Sequence, residues 1–158
     1  MKICVVGMGY IGLPTALMMA ANGLEVIGTD CDRDKIRRLA SGEVTFEEKG
    51  LGELFARAAK GNLRFTGEYP RADLYVVAVP TPYDALTRRI DPSYVVGAVN
   101  GILDVCDRGA ILSIESTISP GTVDRFLRPI LAGRGLEAGR DVHFAHTPGA
   151  DHSRQHGL

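Results

Sequence analysis

Hydrophobic positions fall into two alternating patterns along the chain. Short apolar runs rich in β-branched residues read as strands: Ile3–Val6, Leu24–Thr29, Leu63–Phe65, Leu74–Val79, Ala110–Ile114 and Val142–Ala145. Between most of them lie longer stretches whose apolar residues recur at helical spacing. Tyr10–Asn22 is the first, stopped by Asn22-Gly23, with Pro14 near the first turn, where a missing N–H costs little. Asp32–Leu39, about Leu51–Lys60, Pro92 to about Val105, and Pro120 to about Ala132 follow. The strongest strands are apolar on both faces, the mark of a parallel sheet covered by helices on both sides. Six strands with intervening helices, and a glycine turn after the first strand, predict an α/β fold of the doubly wound, Rossmann type. No internal repeat or low-complexity linker interrupts the pattern.

Composition narrows the function classes. The 158 residues fit one domain, and 45% hydrophobic with 23% charged residues is the balance of a globular protein. Lys plus Arg total 18 against 19 acidic residues, so no basic surplus exists to drive nucleic-acid binding. No apolar run approaches the length of a membrane span. Met1-Lys2 and the apolar stretch to Ala21 superficially resemble a secretion signal, but Gly7, Gly9, Gly12 and Pro14 interrupt it. Cys4, Cys31 and Cys106 are odd in number and lack CxxC spacing. They predict reduced, mostly buried thiols in a cytoplasmic protein, with no disulfide framework and no metal site.

Gly7-Met8-Gly9-Tyr10-Ile11-Gly12 is a G-x-G-x-x-G string lying between a predicted strand and a predicted helix. In that context Gly7 permits the tight turn, Gly9 lets a pyrophosphate approach the backbone, and Gly12 lets helix and strand pack closely. The N–H groups near Tyr10 and Ile11 are then expected to point at phosphate oxygens, aided by the helix dipole. Asp30 closes the second strand, 18 residues beyond Gly12, where a carboxylate can accept from both ribose hydroxyls of an adenosine. It would also repel a 2′-phosphate, by roughly 4 kcal/mol before screening. That favours NAD over NADP, although Lys35 and Arg33 lie close enough to weaken the discrimination. Asp32 is better placed than Asp30 to cap the following helix.

Further strings go beyond a generic dinucleotide fold. Gly9-Tyr10-Ile11-Gly12-Leu13-Pro14, Glu48-Lys49-Gly50-Leu51, Ala78-Val79-Pro80-Thr81-Pro82 and Glu115-Ser116-Thr117-Ile118-Ser119-Pro120-Gly121-Thr122 occur in this order. Together they resemble the N-terminal NAD-binding domain of the UDP-glucose/GDP-mannose dehydrogenase family, most of all its branch acting on UDP-N-acetyl-D-mannosamine. The likeness runs from Met1 to about Pro148, with Lys49 where the family has proline. The resemblance implies oxidation of the C6 hydroxyl of a nucleotide sugar to a carboxylate with NAD. It also implies that Tyr10, Ile11, Asp30, Lys35, Thr81 and Thr117 line the cofactor site. Thr117 would further help hold a water or substrate oxygen, a supporting role, since a hydroxyl alone cannot run the chemistry. The plainer readings are a strand-ending turn for Thr81-Pro82 and hydroxyl–backbone caps for Ser116 and Thr117.

The chain also departs from that family. The family's dimerisation and sugar-nucleotide domains, which carry its cysteine nucleophile, have no counterpart here, and Cys4, Cys31 and Cys106 match no such motif. His146-Thr147-Pro148 matches the approach to a Pro-Glu-Arg segment, but Gly149-Ala150-Asp151 follows. Residues 149–158 therefore read as a divergent, frayed tail, expected from a frameshift, a premature stop or a fragment. His152 and His156 have i,i+4 spacing without the surroundings that orient metal ligands, and His143 and His146 fall on opposite faces of a strand. Asp84–Arg89 reads as a polar, solvated loop.

The leading expectation is thus an NAD-binding domain, residues 1–148, of a nucleotide-sugar 6-dehydrogenase, inactive alone. A nucleotide sugar would engage only if the missing domains were supplied, and apolar surface they would cover favours self-association. The alternative is a stand-alone NAD(H)-binding or redox-sensing module. A 6-phosphogluconate or hydroxyacid type of dehydrogenase is disfavoured by the string from Glu115 to Thr122.

Overall fold

Strand β1 (Lys2–Val6) runs through the middle of a six-stranded parallel sheet, between β2 (Glu25–Thr29) and β4 (Leu74–Val77). The structure is a computed structural model that describes residues 1–86 and 88–147. The order across the sheet is β3-β2-β1-β4-β7-β8, with β3 at Leu63–Thr66, β7 at Ala110–Ile114 and β8 at Val142–His146. The chain winds outward from β1 to β3, crosses back to β4, and then winds the other way. The reversal between β1 and β4 opens a crevice beyond the carboxyl ends of the strands, where ligands of such sheets bind.

Alternation along β1 feeds two cores. Ile3 and Val5 pack with Leu13 and Leu17 of α1 (Gly12–Ala21), while Cys4 and Val6 pack with Val95, Val99 and Ile102 of α4 (Ser93–Leu103). The first core also takes Ile36 and Leu39 of α2 (Arg33–Ala40) and Phe55 of α3 (Leu51–Ala58). The second takes Leu127 and Leu131 from the last helical segment. Tyr75 on β4 is fully buried, and its hydroxyl donates to the Pro70 carbonyl (2.8 Å) and accepts from the Ala72 N–H (3.0 Å).

The expected fold class is present, and several expected boundaries move. Helix α1 starts at Gly12, so Tyr10 and Ile11 belong to the turn. Strand β4 stops at Val77, and Ala78-Val79 already border the crevice. The helix expected from Pro120 instead begins as a π-helical turn, Val123–Leu127, before α5 (Arg128–Gly133). There the Arg128 N–H reaches back five residues to the Val123 carbonyl, next to Pro129, which has no N–H to donate. The polar loop expected at Asp84–Arg89 is a hairpin, β5 (Tyr83–Asp84) pairing antiparallel with β6 (Arg89–Ile90). Two-residue strands carry no alternation for a sequence pattern to register. The thiols are less uniformly buried than expected: Cys4 is buried, Cys106 intermediate and Cys31 exposed on the turn after β2. The tail expectation, with His152 and His156, lies outside the described residues.

At the opposite end from the crevice, Asp141 ties β7 to β8. Its side chain is 4% exposed and accepts from the Glu137 N–H (2.9 Å), Arg108 (2.8 Å) and Arg140 (3.0 Å), while its carbonyl accepts from the Gly109 N–H (2.7 Å). The Arg140 hydrogen bond, then the Glu137 N–H, hold this carboxyl below its ordinary value. Such a group stabilises the fold fully above the unfolded aspartate value near 3.9 and loses that contribution as pH falls through the lower folded value. Urea unfolding of wild type and Asp141→Asn should accordingly show wild type more stable at pH 6. That gap should shrink as the pH falls below about 4.

Candidate functional site

The glycine turn is built by contacts that exclude side chains. Gly7 has φ +95°, and a Cβ there would meet the Ala78 carbonyl oxygen at 2.6 Å. A Cβ on Gly12 would lie 1.7 Å from the Gly7 oxygen. Gly9 is different in kind, because a Cβ there would meet nothing within 4 Å. Its freedom from side-chain atoms leaves open space over the backbone rather than relieving a contact. Met8, between the glycines, is fully buried, and its sulfur occupies the space where a Cβ on Gly28 would stand.

The turn is fastened to β2. The Gly7 N–H donates to the Thr29 carbonyl (2.8 Å), and the Met8 N–H donates to Asp30 Oδ2 (2.8 Å). Past Gly9 the helix begins, with the Leu13 N–H on the Gly9 carbonyl (3.0 Å). Among the described residues, the Tyr10 and Ile11 N–H groups have no acceptor. The first turn of α1 holds no acidic side chain, so the positive end of its dipole is uncompensated. An anion can therefore approach over Gly9 and collect these donors.

Asp30 sits beside this opening with its side chain 9% exposed. Its Oδ2 accepts from Met8 and from Lys35 Nζ (3.0 Å), and its Oδ1 accepts from the Asp32 N–H (2.9 Å). Burial pushes this carboxyl up, but the Asp32 and Met8 N–H groups and the Lys35 ammonium together hold it below its ordinary value. It is an anion at neutral pH, and Oδ1 retains a lone-pair position for one hydroxyl donor. Asp32 caps α2 as expected, accepting from the Asp34 and Lys35 N–H groups, which leaves Asp30 free of that task. Lys35 lies directly on Asp30, so the negative field felt by an added phosphate is smaller than for a lone carboxylate.

The other half of the crevice is formed past β4 and β7. The Glu115 and Ser116 N–H groups both donate to the Val77 carbonyl (2.9 and 3.1 Å), and Ser116 Oγ donates to the Val79 carbonyl (2.8 Å). Ser116 is thus a buried clasp between the two strand ends, a long-range contact rather than the local cap of its plainer reading. Thr117 is exposed and Thr81 half-buried on the same rim. Glu115 has no expected role of its own in the sequence. It is half-buried, pushed up by that burial, with a hydrogen bond to Thr15 of α1 opposing the shift. No periodicity links these two positions; only the closure of α1 over the strand ends does.

A second feature escapes the sequence patterns. A cavity of about 350 Å³ opens beside the turn, lined by Gly9, Tyr10, Lys35, Arg38, Thr45 and Phe46 among others. The Tyr10 and Phe46 rings lie 4.4 Å apart between centroids, which brings the segment after α2 against the start of α1. Open space over Gly9, unpaired donors and an anionic acceptor together fit a diphosphate joined to a ribose. The residues present therefore suit a dinucleotide.

The two kinds of glycine are separable by substitution. Gly12→Ala should cost about 3 kcal/mol or more in urea unfolding, since a methyl there overlaps backbone. Gly9→Ala should leave stability within about 0.5 kcal/mol of wild type.

Comparison with known proteins agrees with this geometry. Residues 1–152 match the profile of the UDP-glucose/GDP-mannose dehydrogenase family, NAD binding domain. The UDP-N-acetyl-D-mannosamine dehydrogenase of Methanococcus vannielii is 40% identical over 151 residues, which cover 93% of this chain and 34% of that protein. The solved UDP-N-acetyl-mannosamine dehydrogenase of Staphylococcus aureus superposes with a TM-score of 0.88 at 37% identity, over 94% of this chain and 37% of that one. A GDP-mannose dehydrogenase of Pseudomonas aeruginosa, solved as a ternary complex, gives a TM-score of 0.82 at 27% identity over 94% of this chain and 36% of that one. The chain spans about a third of the length of the curated relatives it matches. Since the match runs through nearly every described element, the protein belongs to the UDP-glucose/GDP-mannose dehydrogenase family and carries its NAD-binding domain.

Proposed function

We propose that this chain is the NAD-holding part of a nucleotide-sugar 6-dehydrogenase that oxidises the C6 hydroxyl of a UDP-sugar such as UDP-N-acetyl-mannosamine. The observation that carries the reading is the open backbone over Gly9 beside unpaired N–H groups and the Asp30 carboxylate. Gly7 and Gly12 shape the turn, the Tyr10 and Ile11 N–H groups hold the diphosphate, and Asp30 with Lys35 holds the adenosine ribose. Thr81 and Thr117 face the nicotinamide half, and Thr117 helps place the oxygen being oxidised. When bound, NAD supplies the hydride acceptor.

Oxidation to the acid requires an activated thiolate, and two of this chain's cysteines are poor candidates. Burial pushes the Cys4 thiol up to about 12 and raises that of Cys106. Cys31 lies in the turn after Asp30, on the adenosine side of the crevice. The thiolate, the sugar-nucleotide site and the dimer contacts would then come from polypeptide outside residues 1–148. A cytoplasmic location belongs to the same reading, supported by three free cysteines and, among the described residues, no helix long and apolar enough to cross a membrane.

Calorimetric titration of the chain should show NAD binding at least tenfold more tightly than NADP. Asp30→Ala should weaken NAD by roughly tenfold to a hundredfold, the loss of one charge-assisted hydrogen bond of about 1.5–3 kcal/mol, and narrow the gap to NADP. Mixed with NAD and UDP-N-acetyl-mannosamine, the chain alone should form no NADH. Steady NADH production by this polypeptide alone would refute the assignment of the thiol chemistry to other polypeptide.

A further inference from the structure

We propose that Thr45 and Phe46, on the segment joining α2 to α3, form an additional wall of the cofactor crevice, with the Thr45 hydroxyl donating to a phosphate oxygen of the bound dinucleotide. The inference rests on the NAD-binding reading above and adds a contact that the G-x-G-x-x-G turn and Asp30 do not include.

Three observations meet at this point. The cavity beside Gly9 is lined by Thr45 and Phe46 as well as by the glycine turn. Among the described residues, Thr45 Oγ1 is the buried side-chain polar atom without a hydrogen-bond partner. Buried hydroxyls in folded proteins nearly always find one, so an orphan beside a cavity marks a partner still to come. Finally, the Tyr10–Phe46 ring contact fixes this segment to the start of α1. Tyr10 is 73% exposed, so its ring faces open space apart from the Phe46 contact.

The chemistry of the lining identifies the missing partner. Lys35 and Arg38 are donors only, as are the free N–H groups of the turn. Asp32 and Asp34 also line the cavity, each with one carboxylate oxygen already bonded. Asp32 Oδ1 accepts from the Asp34 and Lys35 N–H groups, and Asp34 pairs with Arg37. Lys35 is held by Asp30 and Arg38 by Glu43, so the groups left unpaired beside the turn are the Thr45 hydroxyl and the Tyr10 and Ile11 N–H groups, and an oxyanion that accepts from them is the complement. Its place over the glycine turn makes the dinucleotide's diphosphate the source, rather than a sugar nucleotide or free phosphate.

The test is calorimetric titration of the full chain with NAD, ADP, UDP and inorganic phosphate. Wild type, Thr45→Val, Thr45→Ser and Asp30→Ala would be compared, with melting temperatures recorded for each. Thr45→Val should weaken NAD and ADP by about tenfold, the equivalent of one charge-assisted hydrogen bond. Thr45→Ser should restore both, and neither substitution should lower the melting temperature. If Thr45→Val binds NAD like wild type while Asp30→Ala loses it, the Thr45 contact is refuted and the cofactor reading stands. A loss confined to UDP, or to inorganic phosphate, would refute it by assigning the cavity to another ligand. Failure of wild type to bind NAD would overturn both.

Discussion

Everything at the crevice depends on one backbone contact, the seating of Gly12 against the carbonyl of Gly7. A Cβ at Gly12 would fall 1.7 Å from that oxygen, so the helix reaches the strand only because no side chain intervenes. This approach aims the first N–H groups of α1 over the end of β1. It also brings Gly7 against Ala78, just past the end of β4, across the point where the winding of the sheet reverses. Had the helix stood farther out, its donors would face bulk water, and Thr15 could not reach Glu115 beyond β7.

Asp30 shows how one carboxylate can fasten a turn and still keep acceptor capacity at its rim. It anchors the turn through Met8 and the start of the α2 loop through Asp32, and it draws Lys35 onto itself. These interactions outweigh the cost of its burial and keep it ionised. Because Asp32 takes the cap of α2, Asp30 keeps acceptor capacity for a ligand. The arrangement spreads two jobs over two aspartates that are adjacent but for Cys31.

The same winding that makes the crevice leaves the sheet unevenly covered. The crossovers put α1, α2 and α3 on one face of the sheet, and α4 and α5 on the other. On β7, Ala110, Leu112 and Ile114 are buried beneath α4 and α5, while Ile111 on the opposite face is 41% exposed. This exposed face belongs to a chain one third the length of its curated relatives.

Periodicity and glycine placement were enough to determine the strand–helix alternation, the parallel sheet, the dinucleotide turn and the acid after β2, because each is written in local spacing. The turn at Gly7 and Gly12, the position of Asp30 after β2 and the Asp32 cap were legible on that basis, since a turn, a cap and a strand end involve near neighbours. The π-helical turn before Pro129 and the two-residue strands of the β5–β6 hairpin were not legible, being too short or too irregular to leave a period. Tertiary structure alone decided that Ser116 clasps β4, that Glu115 meets Thr15, and that Thr45 and Phe46 stand beside Gly9. These pairs are distant in sequence, and what joins them is the packing of helices over strand ends, whose distances no local pattern encodes.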